Sequence, residues 1–299
     1  MYKNRKWYIL LVVSLTLLIL YTGYFFTDIG RGLKNKNFGT EKQLNNNEAL
    51  GNQLPIPPIL EDLNPEENKA EFELEVQYGK KEFIQGYQAE TLGYNGDYLG
   101  PVIRVNRDDD VKINVINSLD EPTTVHWHGL EVPGEMDGGP HQVIEPNNSW
   151  EPYFRIDQAA ATLWYHPHLL HRTGEQVYKG LAGLIYIEDE VSNKLNIPKE
   201  YGVNDIPLII QDKRFTGTGE IPYDLTMRDL MNGFLGDTIL INGAIKPKLD
   251  VKKEVVRFRL LNGSNARSYD FNFSNNTKFY QIASDGGFLR KVLKWIQYS

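Results

Sequence analysis

Residues 71–76 read EFELEV and residues 111–117 read VKINVIN. In the first run Phe72, Leu74 and Val76 alternate with glutamates; in the second Val111, Ile113 and Val115 alternate with lysine and asparagine. Successive side chains of a strand point to opposite faces, so a period of two marks strands with one face buried and one in water. Working outward, similar short runs recur as YFRI (153–156), TLWYH (162–166), LAGLIYIED (181–189), IPLIIQD (206–212), TILING (238–243) and VVRFRLLN (255–262). Gly, Pro, Asn and Asp clusters separate them at close intervals, the punctuation of an all-β chain built of sandwiches or Greek-key barrels. After residue 26 no stretch keeps a 3.6-residue period for three turns, apart from the last ten residues, RKVLKWIQYS. That ending is basic, lacks turn residues and departs from the strand pattern. The punctuation weakens over residues 190–205, which predicts a boundary between a first β domain at 71–190 and a second at 200–299.

The chain has 299 residues, 41% of them hydrophobic, enough for two domains and incompatible with a fully disordered chain. Its net charge of −7 provides no broad electrostatic footprint for nucleic acid. With no cysteine among the 299 residues, disulfides, thiolate nucleophiles, cysteine-type zinc sites and iron–sulfur clusters are excluded within it. Any metal must be held by His, carboxylate or Met. All six histidines fall between His126 and His171.

Residues 7–26 form a twenty-residue run without charge, preceded by Lys3, Arg5 and Lys6. As a helix this run covers about 30 Å, the thickness of a bilayer core. A cleaved signal peptide has a shorter apolar region and a small-residue cleavage motif, so residues 1–27 read as an uncleaved anchor. The basic flank places the remainder outside the cytoplasm, membrane-anchored, or secreted if the segment is cleaved. Residues 28–70, rich in Asn, Gln, Glu and Pro, read as a linker whose later part, LPIPPIL, suits an extended course against a domain.

Two motifs carry the chemistry: His126-Trp127-His128 and His166-Pro167-His168. On a strand, residues i and i+2 project from the same face, so each pair aims two imidazoles in one direction. If the two strands are neighbours, four imidazoles converge, and each of several ions can draw ligands from either strand. Neutral imidazole suits copper, zinc, iron and nickel, with copper at the top of the affinity order. On spacing alone a mononuclear zinc site also remains open, as does a pair of solvated or core histidines.

HWHG at 126–129, DGGP at 137–140, WYHPH at 164–168 and TGEQVYKGLAGLIYIED at 173–189 together resemble the first cupredoxin domain of the bacterial multicopper oxidases, the laccase-like enzymes. The resemblance extends more weakly into a second cupredoxin-like domain through IPLIIQDKRF, TILINGAIKP, RFRLLNGSNAR and QIASDGGF. It implies tandem cupredoxin-like Greek-key sandwiches behind the anchor. It further implies that His126 ligates a type 2 copper, that His128 and His166 ligate one type 3 copper, and that His168 ligates the other. In the family such a cluster reduces dioxygen to water with four electrons, which a type 1 copper takes from a reducing substrate. Asp137 matches an acidic residue that assists proton delivery there; its plainer role is that of an Asp-Gly turn residue. His141 and His171 fall where the family places no ligand.

The family draws its other cluster ligands, and the cysteine of its type 1 site, from a third domain. This sequence has no cysteine and no histidine after His171. Two expectations follow. In one, the chain is the amino-terminal part of a laccase-type oxidoreductase, cut short within its second domain and inactive alone. In the other, it is a membrane-tethered copper-binding or interaction module without oxidase turnover.

Overall fold

The computed structural model describes residues 53–275 and 277–295. The expected anchor at 7–26 and the linker up to residue 52 lie outside them. No helix among the described residues is long and apolar enough to cross a membrane.

The described chain is mostly β, as its period-two runs require. One sheet is built on β1 (Lys69–Ile84), flanked by β2 (Tyr87–Tyr94) and β4 (Asp110–Asn117), with β6 (Ser149–Trp150) and β7 (Tyr153–Arg155) both pairing with β4. A second sheet runs β3 (Ile103–Asn106), β9 (Gly183–Glu188), β8 (Ala161–His166), β5 (His126–His128). Phe72, Leu74, Val76, Val111, Ile113 and Val115 from the first sheet and Ile103, Val105, Trp127, Leu163, Tyr165, Ile185 and Ile187 from the second form one buried cluster. The alternating runs therefore supply the inner faces of two packed sheets, as the pleat dictates.

A third sheet has the order β12 (Ala244–Ile245), β11 (Thr238–Ile241), β10 (Asp205–Lys213), β13 (Arg257–Asn262). Its pairing repeats that of the first: β1 pairs antiparallel with β2 and parallel with β4, and β10 pairs antiparallel with β11 and parallel with β13. Three helices of at most seven residues, α1 (Thr173–Lys179), α2 (Glu190–Lys194) and α3 (Met227–Asn232), punctuate the strands. They are too short to have left a periodic signature.

The carboxy-terminal residues need a correction. RKVLKWIQYS was expected to leave the strand pattern, yet Gly287–Trp295 forms β15, antiparallel to β14 (Phe279–Ser284). The turn Asp285-Gly286, with Gly286 at φ +80, reverses the chain so that the basic residues extend a ladder. Pairing with β14, rather than a buried apolar face, makes this strand, and period-two hydrophobicity cannot reveal it. The proline-rich LPIPPIL lies extended: Leu54 N donates to Lys248 O (2.8 Å), Leu60 N to Val102 O (2.9 Å) and Val102 N to Pro58 O (2.7 Å).

Candidate metal centre

β5 and β8 pair antiparallel with His126 opposite His166 and His128 opposite Trp164. Cross-strand register thus brings the two motifs together at one end of the second sheet. Ring centroids of His126 lie 5.6 Å from His128, 5.5 Å from His166 and 5.3 Å from His168, and His128 is 5.4 Å from His166. One ring nitrogen from each of His126, His128 and His166 lies within 4.8 Å of the other two. All four imidazoles named from the sequence share one space. His141 and His171 are exposed and outside that group; His171 adopts a positive φ of 64.

Local structure fixes each ring. His126 Nδ1 faces the Asp137 carbonyl oxygen at 2.9 Å and the Asp137 carboxylate at 3.2 Å, so Nδ1 carries a proton and Nε2 is the nitrogen left for a metal. His166 Nδ1 donates to Pro167 O at 2.7 Å, which leaves Nε2 as the acceptor, hydrogen-bonded to His128 Nδ1. Trp164 stacks on the His166 ring with centroids 3.9 Å apart, and Trp127, fully buried, donates from Nε1 to Met136 O at 3.1 Å. The Asp137 loop is clamped to β5: Trp127 N donates to Asp137 O at 3.2 Å, and Gly138 sits at φ +72 where a Cβ would meet Val125 O at 1.7 Å. Only glycine fits there.

Thr124, which the sequence alone does not single out, accepts the backbone N–H of His168 at 2.6 Å on its buried hydroxyl. The signal was its place two residues before His126, on the same face of the strand direction. Beneath it, Thr123 donates to Gln176, which donates to Glu121, and Glu121 pairs with Arg172. This network ties α1 to the loop that follows His168.

Electrostatics keep two of the imidazoles ready to coordinate. Burial, assisted by the neighbouring histidines and opposed by the Pro167 carbonyl, lowers the His166 pKa to about 3. Burial and then His126 lower that of His128. A neutral ring offers a lone pair. His128 Nδ1 and His166 Nε2 are 3.2 Å apart, close to the ~3.3 Å that separates two nitrogens each about 2.0 Å from a tetrahedral ion. The donor set therefore fits a nitrogen-ligated transition metal.

Comparison with known proteins gives this geometry a family. Residues 75–192 match the family described as multicopper oxidase. The chain is 47% identical over 259 residues to the multicopper oxidase mco of Staphylococcus haemolyticus, covering 87% of this chain and 57% of that protein. It is 44% identical over 244 residues to the cell division protein FtsP of Rahnella sp., covering 81% and 50%. Among solved structures, a laccase from Pediococcus acidilactici aligns with a TM-score of 0.77 at 36% identity, over 83% of this chain and 54% of that one. Residues 75–192 carry a domain of the multicopper oxidase family, and most of the chain is similar to proteins of that family. It spans about half the length of the curated relatives it matches.

Proposed function

We propose that the chain supplies one side of a laccase-type copper cluster, with His126, His128, His166 and His168 as ligands and Asp137 as its carboxylate. The observation that supports this reading is the convergence of four imidazoles, two of them with pKa values lowered by burial, from β5, the end of β8 and the loop that follows it. A sandwich needing only a core would place apolar side chains there. Bound copper would supply the electron storage that lets dioxygen be reduced to water at the expense of a reducing substrate. The chain's own groups set the stage. Asp137 holds the Nδ1 proton of His126 and, being only partly buried, offers an oxygen to which a proton from solvent can pass. Trp164 covers the His166 ring and shields it from bulk water.

A polypeptide of these 299 residues has no cysteine and, besides the four clustered histidines, only His141 and His171, so we expect it to hold copper without sustained oxidase turnover. Residues 7–26 are proposed to anchor it, with the β sheets on the extracytoplasmic side. The second reading, an interaction module without redox chemistry, is favoured by the FtsP likeness, since those relatives are named for cell division.

The full chain, purified in detergent, would be equilibrated with Cu(II) and Zn(II) in competition and its metal content and electron paramagnetic resonance recorded. Expected is nitrogen-ligated Cu(II), favoured over zinc, whose affinity falls about tenfold or more in His128→Ala and in His166→Ala. Copper binding indifferent to both substitutions would defeat the reading, and absence of copper binding would leave the interaction module. Sustained oxygen uptake lost in the same variants would show that a second copy completes the cluster.

A further inference from the structure

We infer that Thr124 is the positioning residue for His168: its hydroxyl fixes where the fourth imidazole stands relative to the other three, and Gln176 of α1 holds the segment that carries it. The inference rests on the copper reading for the identity of the metal, while the positioning itself is a property of the metal-free chain.

Among the four rings, His168 is the one whose place is not set by its own hydrogen bonds. His126 Nδ1 is held by Asp137, His166 Nδ1 by Pro167 O, and His128 Nδ1 by His166 Nε2 at 3.2 Å. These three residues also lie on the paired strands β5 and β8. His168 lies two residues beyond β8, is exposed, and its ring forms no hydrogen bond to any described residue. Its place is therefore set through the backbone. Thr124 Oγ1 accepts the His168 N–H at 2.6 Å, and Leu169 O accepts from Arg172 N and Thr173 N at 3.0 Å and from Thr173 Oγ1 at 2.9 Å. The first bond joins the loop to the segment leading into β5; the others join it to the start of α1.

The hydroxyl stands on a rigid base. Thr123, Thr124 and Gln176 are fully buried. Gln176 accepts from Thr123 Oγ1 at 3.0 Å and donates to Pro122 O at 3.1 Å and to Glu121 at 3.0 Å, so α1 grips the residues just before Thr124. On its other side α1 is held by β10 and the residue after it: Gln211 donates to Val177 O at 3.3 Å and Arg214 N to Tyr178 OH at 2.9 Å. An oxygen can approach a nitrogen this closely only because the two share a hydrogen bond. A methyl carbon needs about 3.5 Å or more, so valine at position 124 would push the His168 backbone outward by roughly 1 Å and leave its N–H without this acceptor. The ring then leaves the space it shares with His126, whose centroid is 5.3 Å away. Serine keeps the oxygen in place. Supporting groups of this kind set metal affinity through the ligand they orient.

The full chain in detergent would be titrated with Cu(II) as wild type, Thr124→Val, Thr124→Ser, His168→Ala and the double variant Thr124→Val with His168→Ala. Hydrogen exchange would be read with a chelator present, on peptides spanning residues 164–172. Expected is a copper affinity about tenfold weaker in Thr124→Val and restored to within about threefold of wild type in Thr124→Ser, with no further loss from Thr124→Val once His168 is alanine. Without metal, residues 164–172 should exchange faster in Thr124→Val than in wild type or Thr124→Ser. Thr124→Ala, which removes the oxygen without setting a methyl in its place, gives the same comparisons should valine prevent folding. An undiminished loss from Thr124→Val in the His168→Ala background would show a role that does not run through His168 and overturn the inference, as would wild-type affinity in Thr124→Val. If the wild type binds no copper, the copper reading fails and exchange alone decides: faster exchange in Thr124→Val upholds the positioning role, and unchanged exchange overturns it.

Discussion

Lys213 shows how one residue can run against the expected pattern. It ends β10 with 1% of its surface exposed, its ammonium donating to Tyr178 O and lying 4.3 Å from the Tyr178 ring centroid. Asp212, next in chain, is engaged by Arg267 at 2.8 Å. Burial lowers the Lys213 pKa from 10.5 to about 7, opposed by Asp212 and helped by Lys179. Between those two values the unfolded chain binds a proton that the folded chain does not. Falling pH therefore favours unfolding across that window, and below about 7 the penalty is constant because both states are protonated. We expect unfolding free energy to rise with pH from about 7 to 10.5, and the wild-type minus Lys213→Met difference, from urea melts across that range, to isolate this slope. A difference independent of pH would show that Lys213 stays charged when folded. From sequence this lysine reads as the polar end of an apolar strand; its burial comes from α1 and Tyr98 packing over it, contacts without local sequence signature.

At the scale of elements, the metal centre depends on a loop as much as on its strands. Residues 136–138 are drawn against β5 through Trp127 Nε1, the backbone N of Trp127 and His126 Nδ1, all bonding to this loop. Gly138 makes that approach possible. In Gly138→Ala the added carbon would have to clear Val125 O, against a positive φ that alanine disfavours by roughly 1 kcal/mol before any clash. The loop must then lift from β5, releasing the His126 Nδ1 proton from Asp137. We expect a loss of about 2 kcal/mol or more in stability and a tenfold weaker copper affinity, whereas Asp137→Asn, which keeps the backbone carbonyl bond, leaves stability nearly unchanged. Equal effects of the two substitutions on urea midpoints would refute a clamping role. Strands with alternating or apolar runs, such as 111–115 and 206–212, were legible because burial on a pleat writes its period into sequence. The His-x-His pairs were legible for the same reason, same-face spacing. What was not legible depended on partners distant in sequence: β15, made by pairing with β14; Thr124, placed under His168 by the β5–β8 register; and α1 to α3, each two turns or fewer.

The described sheets are held together by contacts that cross from the first two to the third. One buried cluster joins Phe83, Ala89 and Tyr178 to Ile221, Phe234 and Leu240; another joins Val102, Leu184 and Tyr186 to Ile209. Sequence composition placed a boundary at 190–205, and these clusters show apolar packing continuing across it. The polar counterpart is Asp205, 3% exposed at the start of β10. It accepts from Arg259 of β13, whose remaining arm reaches Thr162 of β8. Removing this carboxylate would leave the Arg259 guanidinium, 6% exposed, with Thr162 Oγ1 as its remaining hydrogen-bond partner. Leaving a buried charge uncompensated costs about 3–5 kcal/mol, while replacing it by an amide keeps part of the hydrogen bonding and costs less. We therefore expect Asp205→Ala to lower the urea midpoint well below Asp205→Asn. If the shared clusters dominate, fluorescence, to which Trp127, Trp150 and Trp164 of the first two sheets contribute, and hydrogen exchange of β10 and β13 should report a single transition in wild type and in both variants. Two separated transitions in the wild type would show that the sheets unfold independently and that the ion pair, not the packing, joins them; an Asp205→Ala midpoint equal to wild type would show that Thr162 and Tyr186 alone are enough to hold Arg259.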